Sequence, residues 1–385
     1  MTATTRSSAK KEDKDAAPPA SEAEPGSKHK PDTEARDEVE SNEHVNKKAK
    51  SSGEKTQKTL EETISGKDKG PKEEPKGPKD AEETKPTTGE SAVDPHGRDA
   101  DLDSESSVPS SILEKGIIYF FFRGRVNTQE PSEVNEIARS YILLRPIEKD
   151  AKLTSGPIGD AKNSRLCVIP KKVLPQSGRD RWISFVEKSG VSFEELKNEF
   201  LSKSEYMTKT AGHRTTPAAT PIGEGVYAIT STGRESHLVY MLTLPGKLGE
   251  VQKEIGLKEK GSFVISTKNP AYPGTANARL PEGAEYPEEI KKEFHSRRWM
   301  PTQPHHLDYP NAQFLLVGES SGVEKALEPQ EEDQKQGNEE PAEEMEKLEE
   351  EDTQRMRGLS KDDSVSIFKD LEVNAKDYPK LQTTF

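Results

Sequence analysis

Arginine and tyrosine side chains at the ends of apolar segments are the residues of this sequence best suited to chemistry. A guanidinium group binds carboxylate or phosphate through two parallel hydrogen bonds, and a tyrosine ring adds an apolar wall with a polar tip. If the segments converge, these residues form an anion-binding site. The candidates are Arg123, Arg125, Arg145, Arg234, Arg298, Tyr119, Tyr227 and Tyr240. The alternative is that each arginine pairs with a nearby carboxylate, such as Glu224 or Glu235.

Histidine and cysteine residues make a weaker case. His305 and His306 are followed by Asp308, but zinc needs at least three converging ligands, and adjacent side chains of an extended chain point to opposite faces. Cys167 lies in an apolar run, which favours a buried thiol over a nucleophile. The sequence has no phosphate-binding loop, dinucleotide fingerprint or zinc-protease motif. We therefore expect neither a metal ion nor another cofactor.

Short strands in the middle of the chain must position these residues. Residues 117–122 are apolar on both faces, which predicts a central strand covered on both sides. Residues 140–144 form another predicted strand, and residues 225–244 a hairpin. Ser192 and Glu195 have the spacing of a capping box, which predicts a helix over 192–201. We therefore predict an α+β fold with a mostly antiparallel β-sheet core, a few short helices and disordered tails.

Charge and apolar content divide the chain into regions. It is 29% hydrophobic and 33% charged, with a net charge of −13, and most large apolar residues lie in the mildly basic middle. The flanks cannot bury enough surface to offset chain entropy. We predict a disordered charged tail over 1–107, a single domain over 108–318, an acidic linker with one solvated helix over 319–363, and a segment over 364–385 that docks on the domain or binds a partner.

The sequence also indicates an intracellular protein. A single cysteine excludes an intramolecular disulfide, the first residues lack an apolar signal, and the longest apolar run is too short to span a membrane. Lys47, Lys48 and Lys50 form a basic cluster that is a candidate nuclear import signal. The alternative is chance clustering in a lysine-rich tail, so the expected location is nuclear or cytoplasmic.

Six strings carry a resemblance to known sequences, and three of them are GIIYFFFRGRV from Gly116, GEGVYAI from Gly223 and RRWMPTQPHHLDYPNAQFLLVGE from Arg297. Over most of residues 112–318 the chain resembles a family of fungal proteins with bacterial relatives, to which no catalytic residues are assigned. Fungal members often carry the description "BTB domain transcription factor", which implies a transcription-associated role. The chain lacks the His-x-x-x-Leu-x-x-x-Ser helix of BTB domains. It also lacks zinc-finger, basic-zipper and homeodomain signatures, so direct nucleic-acid binding is not expected.

We therefore expect a non-enzymatic intracellular interaction or regulatory protein, nuclear and transcription-associated, whose protein partners bind through its tails. The alternative is an enzyme or small-anion-binding domain that uses the strand-end arginines and tyrosines. Whether those side chains line one pocket separates the two hypotheses. The sequence leaves the oligomeric state and the identity of partners open.

Overall fold

The computed structural model describes residues 108–210, 212–274 and 280–385, and every strand pairing in these residues is antiparallel. The tail predicted over 1–107, with the import signal at Lys47, Lys48 and Lys50, lies outside the described residues. The strands are β1 (Ile112–Gly124), β2 (Ile137–Ile147), β3 (Ser164–Ile169), β4 (Arg181–Val191), β5 (Ser204–Thr208), β6 (Gly212–Thr216), β7 (Thr220–Ser231), β8 (Ser236–Leu244), β9 (Lys260–Lys268), β10 (Trp299–Pro301) and β11 (Gln313–Gly318).

The helices are short apart from one near the end of the chain. They are α1 (Phe193–Glu195), α2 (Glu250–Ile255), α3 (Glu288–Glu293), α4 (Glu331–Gln336), α5 (Pro341–Leu359) and α6 (Asp363–Asp370). The predicted capping box is present before α1, because Glu195 N donates to Ser192 Oγ and Ser192 N donates to Glu195 Oε2. A π-helical turn, Leu196–Leu201, continues α1. Within the described ranges, no helix has the length and apolar character to cross a membrane.

Eight strands close into a barrel. They pair antiparallel in the order β1, β2, β3, β4, β11, β9, β8, β7 and back to β1. The short strand β10 pairs with the last residues of β9, beyond the end of β8. The predicted α+β class with an antiparallel sheet core is therefore wrong, since the fold is a closed β-barrel with a few short helices. Residue alternation identifies strands but not closure, which here depends on β8 pairing with β9 from Ser236↔Ile265 to Met241↔Lys260.

Side chains fill the interior of the barrel. Alternate residues from all eight strands belong to one buried apolar cluster, which identifies the inward face. Phe120 and Tyr240 meet edge to face with ring centroids 5.0 Å apart, and Tyr240 stacks on Phe263 at 5.7 Å. The interior is therefore a packed core built around aromatic rings.

A second apolar layer covers the outer face of β1. Its outward residues Ile117, Tyr119 and Phe121 are fully buried, beneath the α1 segment and the C-terminal helices. Helix α5 contributes Met345, Leu348 and Met356 to this layer, so the helix predicted as solvated has one buried face. Helix α6 adds Ile367 and Phe368 to the same layer. The two coverings explain why β1 is apolar on both faces.

The residues after α6 pack against one end of the barrel. Val251 N at the start of α2 donates to Thr383 O at 3.2 Å. Gly249 permits this approach, since a Cβ atom there would lie 2.2 Å from Thr383 O. Phe385 packs against the interior cluster. The described fold thus extends through the C-terminal residues.

Candidate functional site: a buried charge network

Arg145 and Tyr119 meet on the outer face of the barrel. They lie on the paired strands β2 and β1, two positions apart in register, and Arg145 Nη1 donates to Tyr119 Oη at 3.3 Å. Both residues are buried, with 2% and 0% exposure. Of the eight arginines and tyrosines that the sequence singles out, these two are the pair joined by a hydrogen bond in the described chain.

The anion bound by this pair is Asp370 of α6. Its Oδ2 atom accepts a hydrogen bond from Arg145 Nη1 at 3.2 Å and another from the Tyr119 hydroxyl. Its Oδ1 atom accepts from Arg355 Nη1. The predicted anion site is thus occupied by a carboxylate of the same chain, 225 positions beyond Arg145.

Arg355 of α5 joins the remaining charges. Its Nη2 atom donates to Asp352 Oδ1 at 2.6 Å and to Glu224 Oε1 of β7 at 3.4 Å. Thr243 of β8 donates to Asp352 Oδ2 at 2.6 Å. We call the set the outer-face network, and it consists of Tyr119, Arg145, Glu224, Asp352, Arg355 and Asp370.

Burial sets the protonation of the outer-face network. Burial and the neighbouring Asp352 carboxylate raise the pKa of Glu224 well above its ordinary range, which favours the neutral form of this carboxyl. The outer-face network contains two guanidinium groups and, besides Glu224, two aspartates. Burial and Asp370 likewise raise the pKa of Tyr119, which keeps its hydroxyl proton as a donor. Burial alone would lower the pKa of Arg355, but the nearby carboxylates raise it.

The other predicted arginines lie elsewhere. Arg123 is half-buried, with its guanidinium carbon 5.3 Å from the Phe200 ring centroid, and burial lowers the pKa of Arg123. Arg125 follows β1, Arg234 lies between β7 and β8, and Arg298 precedes β10, and all three are exposed. The set therefore does not line a single pocket with Arg145.

Tyr227 and Tyr240 point into the barrel. Tyr227 donates to Glu114 Oε1 at 2.8 Å. Arg165 holds the same carboxylate, since its Nη1 atom lies 2.7 Å from Glu114 Oε1, and it also reaches Asp308 at 2.7 Å. Sequence reasoning missed this buried pair. The signal was a charged residue near the start of a strand that is mostly apolar, Glu114 in β1 and Arg165 in β3.

The two adjacent histidines come together because this part of the chain is a turn and not an extended strand. They lie in a 3-10 turn, Pro304–Asp308, with ring centroids 4.6 Å apart, and Glu293 joins them. Gln303 N donates to His306 Nδ1 at 3.1 Å, so the proton of the neutral ring is on Nε2, which donates to Glu293 Oε2 at 3.1 Å. A metal ion would need the lone pair of that nitrogen, so this arrangement suits hydrogen bonding better than coordination.

Ser262, His237 and Glu319 have the composition of a hydrolase triad but not its geometry. His237 Nδ1 lies 3.2 Å from Glu319 Oε2, and Ser262 Oγ donates to the same oxygen at 2.6 Å. A serine nucleophile must instead contact His Nε2, which here lies 3.9 Å from Glu235.

Burial raises the pKa of Cys167 to about 12, so its thiol stays protonated.

Two cavities lie away from the outer-face network. One of about 660 Å³ is lined by residues that include Tyr286, Lys291 and His295, and one of about 230 Å³ lies where α5 meets α6. Neither is lined by a residue of the network.

Comparison of the chain with protein-family models, curated proteins and solved structures finds no match in any of the three.

Proposed function

We propose that the protein is a non-enzymatic intracellular protein of the interaction or regulatory class. The observation that carries this proposal is the packed interior of the barrel, to which all eight strands contribute side chains. A barrel that binds a small ligand keeps a cavity in its interior. Here the ring of Tyr240 contacts both Phe120 and Phe263 at that position, which leaves outer surfaces and tails for binding.

The polar clusters support the same proposal. Arg145 and Tyr119, the best-placed candidates for an anion site, already bind Asp370. An external anion would have to displace a carboxylate that also pairs with Arg355. Removing one member of a buried charge pair costs several kcal/mol, so a small-anion-binding function is the weaker hypothesis.

The nuclear and transcription-associated part of the proposal is supported by sequence alone. It depends on the basic cluster at Lys47, Lys48 and Lys50 and on the resemblance to the fungal family. We propose proteins, not DNA, as the partners of the tails, because an acidic chain is repelled by phosphate.

Native mass tests the interaction function. The chromosomal copy would be tagged, purified gently and measured by mass photometry, since charged tails distort elution volume. We expect particles heavier than the 42.7 kDa chain. Chemical cross-linking should then join the chain to a second protein. A population that remains at the mass of one chain under several growth conditions would overturn the proposal.

Fluorescent fusions test the import signal. Replacing Lys47, Lys48 and Lys50 with alanine should shift the fusion from nucleus to cytoplasm. The matched control replaces Lys10, Lys11 and Lys14 of the same tail and should leave the distribution unchanged. An unchanged distribution of the first variant would remove the support for nuclear import.

A further inference from the structure

The ribbon formed by β5 and β6 carries exposed apolar surface. Met207 is 78% exposed and Tyr206 is 44% exposed, and Val126 in the adjoining loop is 40% exposed. Across the ranges that the structure describes, these are the large apolar side chains found exposed. Exposed apolar side chains are thus concentrated on and beside this ribbon, which makes the ribbon a candidate interaction surface.

The ribbon is fixed to the barrel along β6. Asn127, in the left-handed region with φ of 70°, donates from its N atom to Thr215 O and accepts from Thr215 N at Oδ1, both at 2.9 Å. Ala219 N donates to Leu201 O at 3.1 Å where the ribbon joins the barrel. The side of β6 that faces away from β5 is therefore occupied. The outer side of the ribbon is β5.

This small sheet has two strands in the described chain, so β5 is an edge strand. Tyr206 pairs with Arg214 in register, and Met207 pairs with His213. Tyr206 and Met207 consequently project from opposite faces of the ribbon. An extended segment added beside β5 would form main-chain hydrogen bonds and place alternate side chains against each of them.

Charge identifies the kind of segment that fits. Lys203 and Lys209 flank β5 at its two ends, and both are exposed. Lys203 Nζ lies 3.7 Å from Glu205, an exposed pair of little strength. A second copy paired antiparallel about Tyr206 would place Lys203 opposite Lys209 twice, and like charges in that position are destabilising. A strand with acidic ends would instead pair with both lysines.

We propose that the outer edge of β5 binds an extended acidic segment of a partner protein as a third strand. This inference rests on the proposed interaction function and adds a folded docking surface to the tails. Tyr206 and Met207 supply apolar contacts on the two faces, while Lys203 and Lys209 select acidic flanks.

Binding can be observed at Met207 in the full-length protein. The probe is the synthetic peptide Glu-Glu-Val-Thr-Val-Thr-Val-Glu-Glu, and its partner peptide has lysine in place of every glutamate. The methionine methyl groups would be labelled with ¹³C. The Met207→Ala variant lacks one of the six methionine resonances, which assigns that resonance to Met207. The acidic peptide should shift that resonance and, at low salt, bind about fivefold tighter than the lysine peptide.

A charge exchange makes the test independent of folding. The double variant Lys203→Glu, Lys209→Glu should reverse the preference and favour the lysine peptide. The matched control Lys149→Glu, Lys152→Glu makes the same charge change at exposed positions after β2 and should keep the wild-type preference. The proposal would be overturned if the Met207 resonance did not change at saturating peptide or if the charge exchange did not reverse the preference. It would also be overturned if the protein dimerised and Tyr206→Ala abolished the dimer.

A negative result of the peptide experiment and a negative result of the native-mass experiment contradict different proposals. A protein that forms complexes in cells but does not bind the peptide leaves the interaction function intact and removes β5 as the docking surface. A protein that remains a single chain in cells removes the interaction function, whatever the peptide shows.

Discussion

Arg145 of β2 and Asp370 of α6 form a buried ion pair of 3.2 Å, with side-chain exposures of 2% and 0%. Apolar packing alone would tolerate small shifts of α6 along the barrel. A buried charge must instead meet its partner, so this pair fixes where the helix lies. The outer-face network therefore specifies the position of the C-terminal helices in addition to covering an apolar surface.

Replacing Asp370 with asparagine should lower the free energy of unfolding by about 3–5 kcal/mol. The change keeps the size of the side chain but removes the carboxylate that Arg145 and Arg355 share. Urea unfolding measures the loss. The control is Glu331→Gln, because its i,i+4 pair with Lys335 is exposed and should contribute less than about 0.5 kcal/mol. A loss in Asp370→Asn as small as in the control would contradict a structural role for the network.

Replacing Glu224 with glutamine should change the free energy of unfolding by less than about 1 kcal/mol. The pKa of Glu224 is raised by burial and by Asp352, which favours the neutral carboxyl in the folded protein. A neutral amide of similar shape preserves the charge balance of the network. If urea unfolding instead shows a loss close to that of Asp370→Asn, then Glu224 is ionised in the folded protein.

Replacing Gly249 with alanine should loosen the residues after α6 from the barrel. The new Cβ atom would lie 2.2 Å from Thr383 O, and a clash of this kind costs about 1–3 kcal/mol. Hydrogen exchange should show faster exchange at Val251 N, which donates to Thr383 O. Gly246→Ala is the control, since a Cβ there meets no described atom within 4 Å. Equal exchange in the two variants would argue against this contact.

The stability of the protein should fall as pH drops below about 6.5, in part through His306. Burial lowers the pKa of His306 although Glu293 favours its charged form, and His305 and Thr267 also face the ring. The unfolded chain then binds the proton more readily than the folded chain, so protonation favours unfolding until the pH passes the folded pKa.

Urea unfolding between pH 7 and pH 5 tests this contribution. His306→Gln keeps an acceptor for Gln303 N but does not titrate, so its free energy of unfolding should depend less steeply on pH. The control His305→Gln removes an exposed ring and should retain the wild-type slope. Parallel curves for wild type and His306→Gln would exclude a contribution from this histidine.

Strand positions could be predicted because local residue pattern determines them. Residues 117–122 are apolar on both faces, and they lie within β1 with both faces buried. The capping box at Ser192 and Glu195 was equally readable. Closure of the barrel could not be predicted in this way, because it depends on which strand edges meet. Residue alternation is the same in an open sheet and in a barrel.

The outer-face network was hidden by distance along the chain. Arg145 and Tyr119 were candidates, but Asp370 lies in the segment over 364–385, which was predicted either to dock on the domain or to bind a partner. A usable signal lay in α5, where Met345, Leu348 and Met356 recur at helical spacing and Asp352 occupies the same stripe. A charge within an apolar stripe indicates a buried partner, although the sequence does not say which residue that partner is.

The contact between Tyr119 and Asp370 joins residues 251 positions apart. During synthesis, β1 leaves the ribosome long before the helix that covers its outer face. At ordinary elongation rates the delay is about 10 to 50 s. Throughout that interval a strand rich in phenylalanine and tyrosine has one face without its covering, so the nascent chain is a predicted client of chaperones that hold apolar surface until translation ends.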